Sequence, residues 1–206
     1  TFDFYPINNN PERYTLIVGA DPQPRASTAG FDNIAYHSLE MCDDFYRDMR
    51  EKRATITDRN VYGMMLGDLV HENMSLFDNY IVGLKSLGFP MFNILGNHDN
   101  DYTASNDTDG RRKYEEHLGP TYYSFNIGKQ HYVVLDNLIM KKRESDNSLR
   151  EYDQGLTDEI WQWLQNDLAH VDRSSTIMVA AHSPMFRKID NTNRGAQYRN
   201  EYGNLF

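Results

Sequence analysis

Cysteine is almost absent from this chain of 206 residues: Cys42 stands alone, so no intrachain disulfide can staple the fold. Long apolar runs are missing too. No stretch approaches the ~20 consecutive apolar residues that span a bilayer, and Thr1-Phe2-Asp3-Phe4 is unlike the basic start of a signal peptide. Positive charge is in deficit: 21 Lys and Arg face 30 Asp and Glu, a formal net charge of −9 that repels nucleic acid and anionic membranes at long range. Neither an internal repeat nor a low-complexity tract is present, which excludes solenoids and flexible arrays. What remains, 39% apolar and 25% charged, is the composition of one globular domain over residues 1–206, large enough to bury about 70% of its unfolded surface.

Apolar periodicity divides the chain. After the turn-prone Asn8-Asn9-Asn10-Pro11, the β-rich Tyr14-Thr15-Leu16-Ile17-Val18 reads as a buried strand broken by Gly19. Ala35, Leu39, Cys42, Phe45 and Met49 repeat at helical spacing, Val61 to Leu66 forms a second strand, and Phe77, Tyr80, Ile81, Leu84 and Leu87 mark a helix closed by Gly88. Pro90 to Leu95 supplies a third strand. Such alternation predicts a mainly parallel sheet of α/β class, with ligands gathered at the carboxyl ends of the strands. Beyond a short helix from Arg111 to Leu118, Tyr122 to Ile127 and His131 to Asp136 read as a hairpin turned at Gly128-Lys129. Lys141 to Asp153 reads as a surface loop. Thr157 caps a helix whose buried stripe is Ile160, Trp163, Leu164, Leu168 and Val171, and Thr176 to Ala181 is the last strand.

Four strand ends carry the chemistry: Asp21-Pro22-Gln23, Gly67-Asp68-Leu69-Val70-His71, Gly96-Asn97-His98-Asp99 and Ala181-His182-Ser183-Pro184. Carboxylate, amide and imidazole donors without thiolate suit hard or borderline cations such as manganese, iron or zinc, with magnesium as a further choice. An aspartate can be shared by two cations about 3.5 to 4 Å apart. Glycines before Asp68 and Asn97 let the backbone turn sharply at the sheet edge. His71 reads as a hydrogen-bonding residue at the start of the following helix, and His37, His117, His131 and His170 as structural or exposed.

These four motifs, in order from Asp21 to His182, resemble the calcineurin-like metallophosphoesterase family, whose pattern runs D-x-H, G-D-x-x, G-N-H-D/E, H and finally G-H-x-H. The resemblance implies an αββα sandwich and metal-dependent hydrolysis of a phosphomonoester or phosphodiester by a hydroxide held between two metals. It gives Asp21, Gln23 and Asp68 to one metal and Asp68, Asn97 and His182 to the other. His98 would meet the leaving oxygen, and Asp99 would orient His98. Tyr102, Arg111 and Arg187, just beyond the motifs, are positioned in sequence to grip a phosphate ester.

Two departures stand out. Gln23 occupies the family's usual histidine position, and an amide oxygen is a weaker ligand. No Gly-His-x-His follows His182, so a histidine is lacking for each metal, and the chain reads as cut before the last strands of the fold. The alternative function is a catalytically impaired binding or scaffold domain on the same fold. The Asp-Pro-Gln form and asparagine-rich loops lean toward a bacterial periplasmic or extracellular location. Hydrolysis by Ser183 with His182 lacks the Gly-x-Ser-x-Gly elbow that would support it.

Overall fold

The computed structural model describes residues 5–7, 10–25 and 33–185, with the side chains of 33–37 left out. Its first half alternates β1 (Tyr14–Gly19), α1 (Asn33–Ala54), β2 (Asn60–Met65), α2 (Phe77–Lys85) and β3 (Met91–Asn93). The three strands pair in parallel in the order β1-β2-β3, as the alternation predicts. Two short helices, α3 (Asp107–Gly110) and α4 (Arg112–Leu118), lead into β4 (Tyr123–Ile127) and β5 (Gln130–Leu135). β6 (Leu138–Lys141), β7 (Glu151–Gln154), α5 (Asp158–Leu168) and β8 (Thr176–Ala181) follow. β5 pairs antiparallel with β4 and parallel with β8 in a second sheet. The predicted hairpin is present, turned at Gly128 with φ 57°, a left-handed value that glycine adopts without cost.

Period-two alternation builds the layers. In β2, Val61 and Met65 face α1 and α2, while Tyr62 and Met64 face the other sheet. In β5, Val133 and Leu135 meet α5, and Tyr132 and Val134 turn inward to the facing sheet. Three apolar clusters therefore stack as helix-sheet, sheet-sheet and sheet-helix, the αββα sandwich. Burying a side chain such as Leu135 or Phe77 stabilises the fold by roughly 1.5–3 kcal/mol. Between the sheets, Phe92 stacks on Phe125 at 3.6 Å, and the Tyr14 and Tyr132 hydroxyls meet at 2.6 Å. α5 begins where its cap predicts: the Thr157 hydroxyl accepts from the Ile160 N–H at 3.3 Å.

One stretch differs from its sequence reading. Residues 141–153 are not a plain loop, because β6 and β7 pair antiparallel from Leu138↔Gln154 to Lys141↔Glu151. Leu149, 1% exposed, packs with Tyr102, Leu138 and Met140, and its N–H donates to the Tyr102 carbonyl at 2.9 Å. That contact docks the hairpin beside the Asn97-His98-Asp99 segment. No helix among the described residues is long and apolar enough to cross a membrane.

Candidate metal centre

The carboxyl ends of β1, β2, β3 and β8 converge, and each delivers one of the sequence motifs. Backbone hydrogen bonds zip the first two loops together: Asp21 N–H donates to Gly67 O and Gln23 N–H to Asp68 O, both at 3.1 Å. Asp21, Gln23 and Asp68 hold φ of 54°, 40° and 53°, left-handed values that cost a residue with a Cβ of order 1 kcal/mol or more. The backbone is thus bent against its preference where the candidate ligands converge. Gly67 takes φ 92°, and a Cβ there would press on the His182 ring. A Cβ on Gly96 would overlap the Asp68 backbone nitrogen and Oδ1. Both glycines are required, the second for close approach rather than for φ.

Asp68, 3% exposed, stands in the middle. Its Oδ2 lies 2.5 Å from the Gln23 amide nitrogen, which is itself 3.5 Å from Asp21 Oδ1. Its Oδ1 accepts the His98 N–H at 2.9 Å and lies 3.4 Å from His182 Nε2, which is 3.3 Å from Asn97 Oδ1. Ligand atoms of Asp21, Asp68 and His182 all lie within 4.8 Å of one another. His182 Nδ1 sits 2.7 Å from the Leu66 carbonyl, the bond by which a ligating imidazole is oriented with Nε2 toward the metal. Asn137 fixes the loop after His182, its amide donating to Ser183 O at 2.6 Å and its oxygen accepting the Ser183 N–H at 3.2 Å. Carboxylate, amide and imidazole donors converging on one another fit borderline cations, and close-packed carboxylates of this kind are costly without positive charge between them.

Asp99 has a different partner from the expected one. Fully buried, its Oδ1 accepts the Val70 N–H at 3.0 Å and its Oδ2 the Gly96 N–H at 2.8 Å, so it ties the β2 and β3 loops together. Burial pushes its pKa well above the ordinary carboxylate value, opposed by those N–H groups. The acid that faces His98 is Glu72, with Oε1 3.2 Å from His98 Nδ1. His71 does not cap a helix; Asn73 does that, and the His71 ring stacks on His98 at 4.2 Å with its Nδ1 buried and unpartnered. Burial, then His98 and Arg25, lower its pKa.

Of the substrate-binding expectations, Tyr102 is 8% exposed with its hydroxyl 3.3 Å from His98 Nδ1. Arg111 is turned into a carboxylate network, 3.4 Å from both Asp136 and Glu115 and 3.6 Å from Asp107. Arg187 lies outside the described residues. His131, 5% exposed, sits between Asn126 and Asp167 at 2.8 Å each, and His117 lies 2.7 Å from the Lys113 carbonyl, both structural as expected.

Residues 20–204 match the calcineurin-like phosphoesterase family, and the chain belongs to it. In fold it is similar to a dimetal phosphatase from Danio rerio, with TM-score 0.59 and 15% identity over 93% of this chain and 76% of that one. It is also similar to a purple acid phosphatase from yellow lupin (Lupinus luteus) seeds, with TM-score 0.50 and 16% identity over 83% of this chain and 30% of that one. No curated protein matches the sequence. Membership in this family makes metal-dependent phosphoester hydrolysis the general class of activity.

Proposed function

We propose that this protein hydrolyses a phosphomonoester or phosphodiester with two metal ions held around Asp68. One observation carries the reading: the two oxygens of Asp68 face different groups, Oδ2 the Gln23 amide, which also reaches Asp21, and Oδ1 the His182 ring, which also reaches Asn97. A carboxylate with its two oxygens turned to separate groups supports sharing between two cations. Asp21, Gln23 and Asp68 would hold one ion, and Asp68, Asn97 and His182 the other; manganese, iron and zinc suit the donors. When bound, the metals supply Lewis-acid activation of water and neutralise charge on the phosphoryl oxygens. His98, beside this centre on the Asn97–Asp99 turn, serves the leaving oxygen, and Tyr102 stands next to it as part of the wall that a substrate meets.

Manganese-dependent turnover of aryl phosphates by the intact protein tests this. Asp68→Asn and His98→Ala are each expected to lose ~100-fold or more. Only Asp68→Asn is expected to weaken manganese binding measured by calorimetry. Unchanged turnover in both variants would sink the proposal.

A further inference from the structure

A cavity of about 400 Å³ opens at the amino ends of β2 and β3, the edge of the sheet opposite to the metal centre. That volume lies within the range of small-molecule sites. The chain from Val61, on the cavity floor, to Asp68 runs roughly 20 Å, so the two places share no residue. Val61 and Phe89, 5% and 2% exposed, close the bottom, and Tyr5, Tyr62 and Pro90 add aromatic and apolar wall. Gly88 turns the chain into β3 at φ 72°, and nothing lies within 4 Å of the place where a Cβ would sit, so this side of the cavity is open space.

The charge around it runs against the rest of the chain. Among the described residues lining the cavity, the charged ones are Arg53 and Arg59, in a protein of net charge −9. Arg53 ends α1: its carbonyl accepts the Ile56 N–H at 3.0 Å, and its own Nη1 donates to the Ile56 carbonyl at 2.9 Å. The guanidinium is thereby held in place, half-buried, by a neutral group, and no carboxylate among the described residues pairs with it. Arg59 does have an acid, Asp58, at 2.9 and 3.0 Å, but Arg13 takes the same carboxylate. Positive charge is therefore in excess where the walls are apolar, and a guanidinium with nitrogens to spare matches the two oxygens of an oxyanion.

We infer that this cavity is a binding site for a small aromatic oxyanion, with Arg53 as its principal charge partner and Arg59 as the second. The flat ring of such a ligand meets Tyr5, Tyr62 and Pro90, and its carboxylate or phosphate faces the arginines. The inference stands apart from the phosphoesterase reading, since no residue of the metal centre takes part.

Benzoate, benzamide and benzamidinium test it, being nearly one shape with an anionic, a neutral and a cationic head. They are titrated into the intact chain with zinc, a diamagnetic ion, and followed by amide NMR. Benzoate should shift the amides of Ile56 to Tyr62, Gly88 and Phe89 saturably and bind about tenfold more tightly than benzamide. Benzamidinium should leave them in place. Arg53→Gln should weaken benzoate about tenfold without changing benzamide, which separates lost charge from a distorted cavity. Arg59→Gln, on an exposed side chain whose charge Asp58 already offsets, should weaken it about threefold and decides the matter if the first variant does not fold. Equal affinity for benzoate and benzamide, unchanged benzoate binding in both variants, or no saturation by ~50 mM would overturn the inference. So would shifts confined to the loops of Gln23, Asp68 and Asn97, which would put the benzoate on the metal.

Discussion

Asp99→Asn separates a structural acid from a catalytic one. Both Asp99 oxygens accept backbone N–H groups, from Val70 at 3.0 Å and from Gly96 at 2.8 Å, in a position without solvent exposure. Asparagine offers one acceptor oxygen, and its amide nitrogen must then face the second N–H donor. One hydrogen bond is lost and one buried N–H is orphaned, which costs about 2–3 kcal/mol in the metal-free protein. Protonation of the native carboxyl does not alter this, since a hydroxyl oxygen can still accept where an amide nitrogen cannot. With a urea m-value of about 2 kcal/mol/M, the unfolding midpoint should fall by about 1–1.5 M. If Asp99 instead acted by orienting His98, metal-free stability would be untouched and only turnover would fall. A midpoint within about 0.25 M of the wild type would therefore refute the tie between the loops.

Two further outcomes follow from the geometry. Gly96→Ala drives a Cβ into Asp68 and should cost ~1–3 kcal/mol and weaken manganese binding. Gly88→Ala, at φ 72° with nothing near its Cβ, should cost only about 1 kcal/mol in thermal denaturation and leave binding alone. Burial raises the Asp136 pKa to about 6, against the opposing pull of Arg111. The unfolded chain then releases this proton at lower pH than the folded one, so stability falls as pH rises from the ordinary carboxylate value toward about 6. Asp136→Asn should remove up to ~3 kcal/mol of that fall, read from unfolding free energies across the window.

Much of the sandwich is legible because the local pattern and the tertiary answer agree. Val61, Met65, Val133 and Leu135 alternate with inward residues as their strands require, and the cap at Thr157 and the turn at Gly128 sit where their chemistry puts them. Strand ends carrying Asp21, Asp68, Asn97 and His182 follow from the alternation of strand and helix. What the sequence hides is non-local. Leu149 and Arg150 follow a polar tip, and nothing near them announces that Leu149 buries against Tyr102 or that Arg150 meets Glu72. Asp99 misleads because adjacency along the chain is not adjacency in space: on the 3-10 turn Asn97–Asp99, successive side chains point about 120° apart. The carboxylate that reaches His98 arrives from the β2 loop, through a backbone conformation that residue type does not signal.

The left-handed residues bear on how such a chain drifts. At Asp21, Gln23 and Asp68 the backbone takes values that glycine adopts without strain, though at Asp68 the exchange would also remove the acceptor of the His98 N–H and the Gln23 amide. In a sandwich used only as a scaffold, exposed Asp21 would be the easiest of the three to exchange for glycine, and the candidate metal site would lose a carboxylate first. A polar side chain on a left-handed backbone is a local cost that the rest of the fold must carry, and here three such positions surround one point.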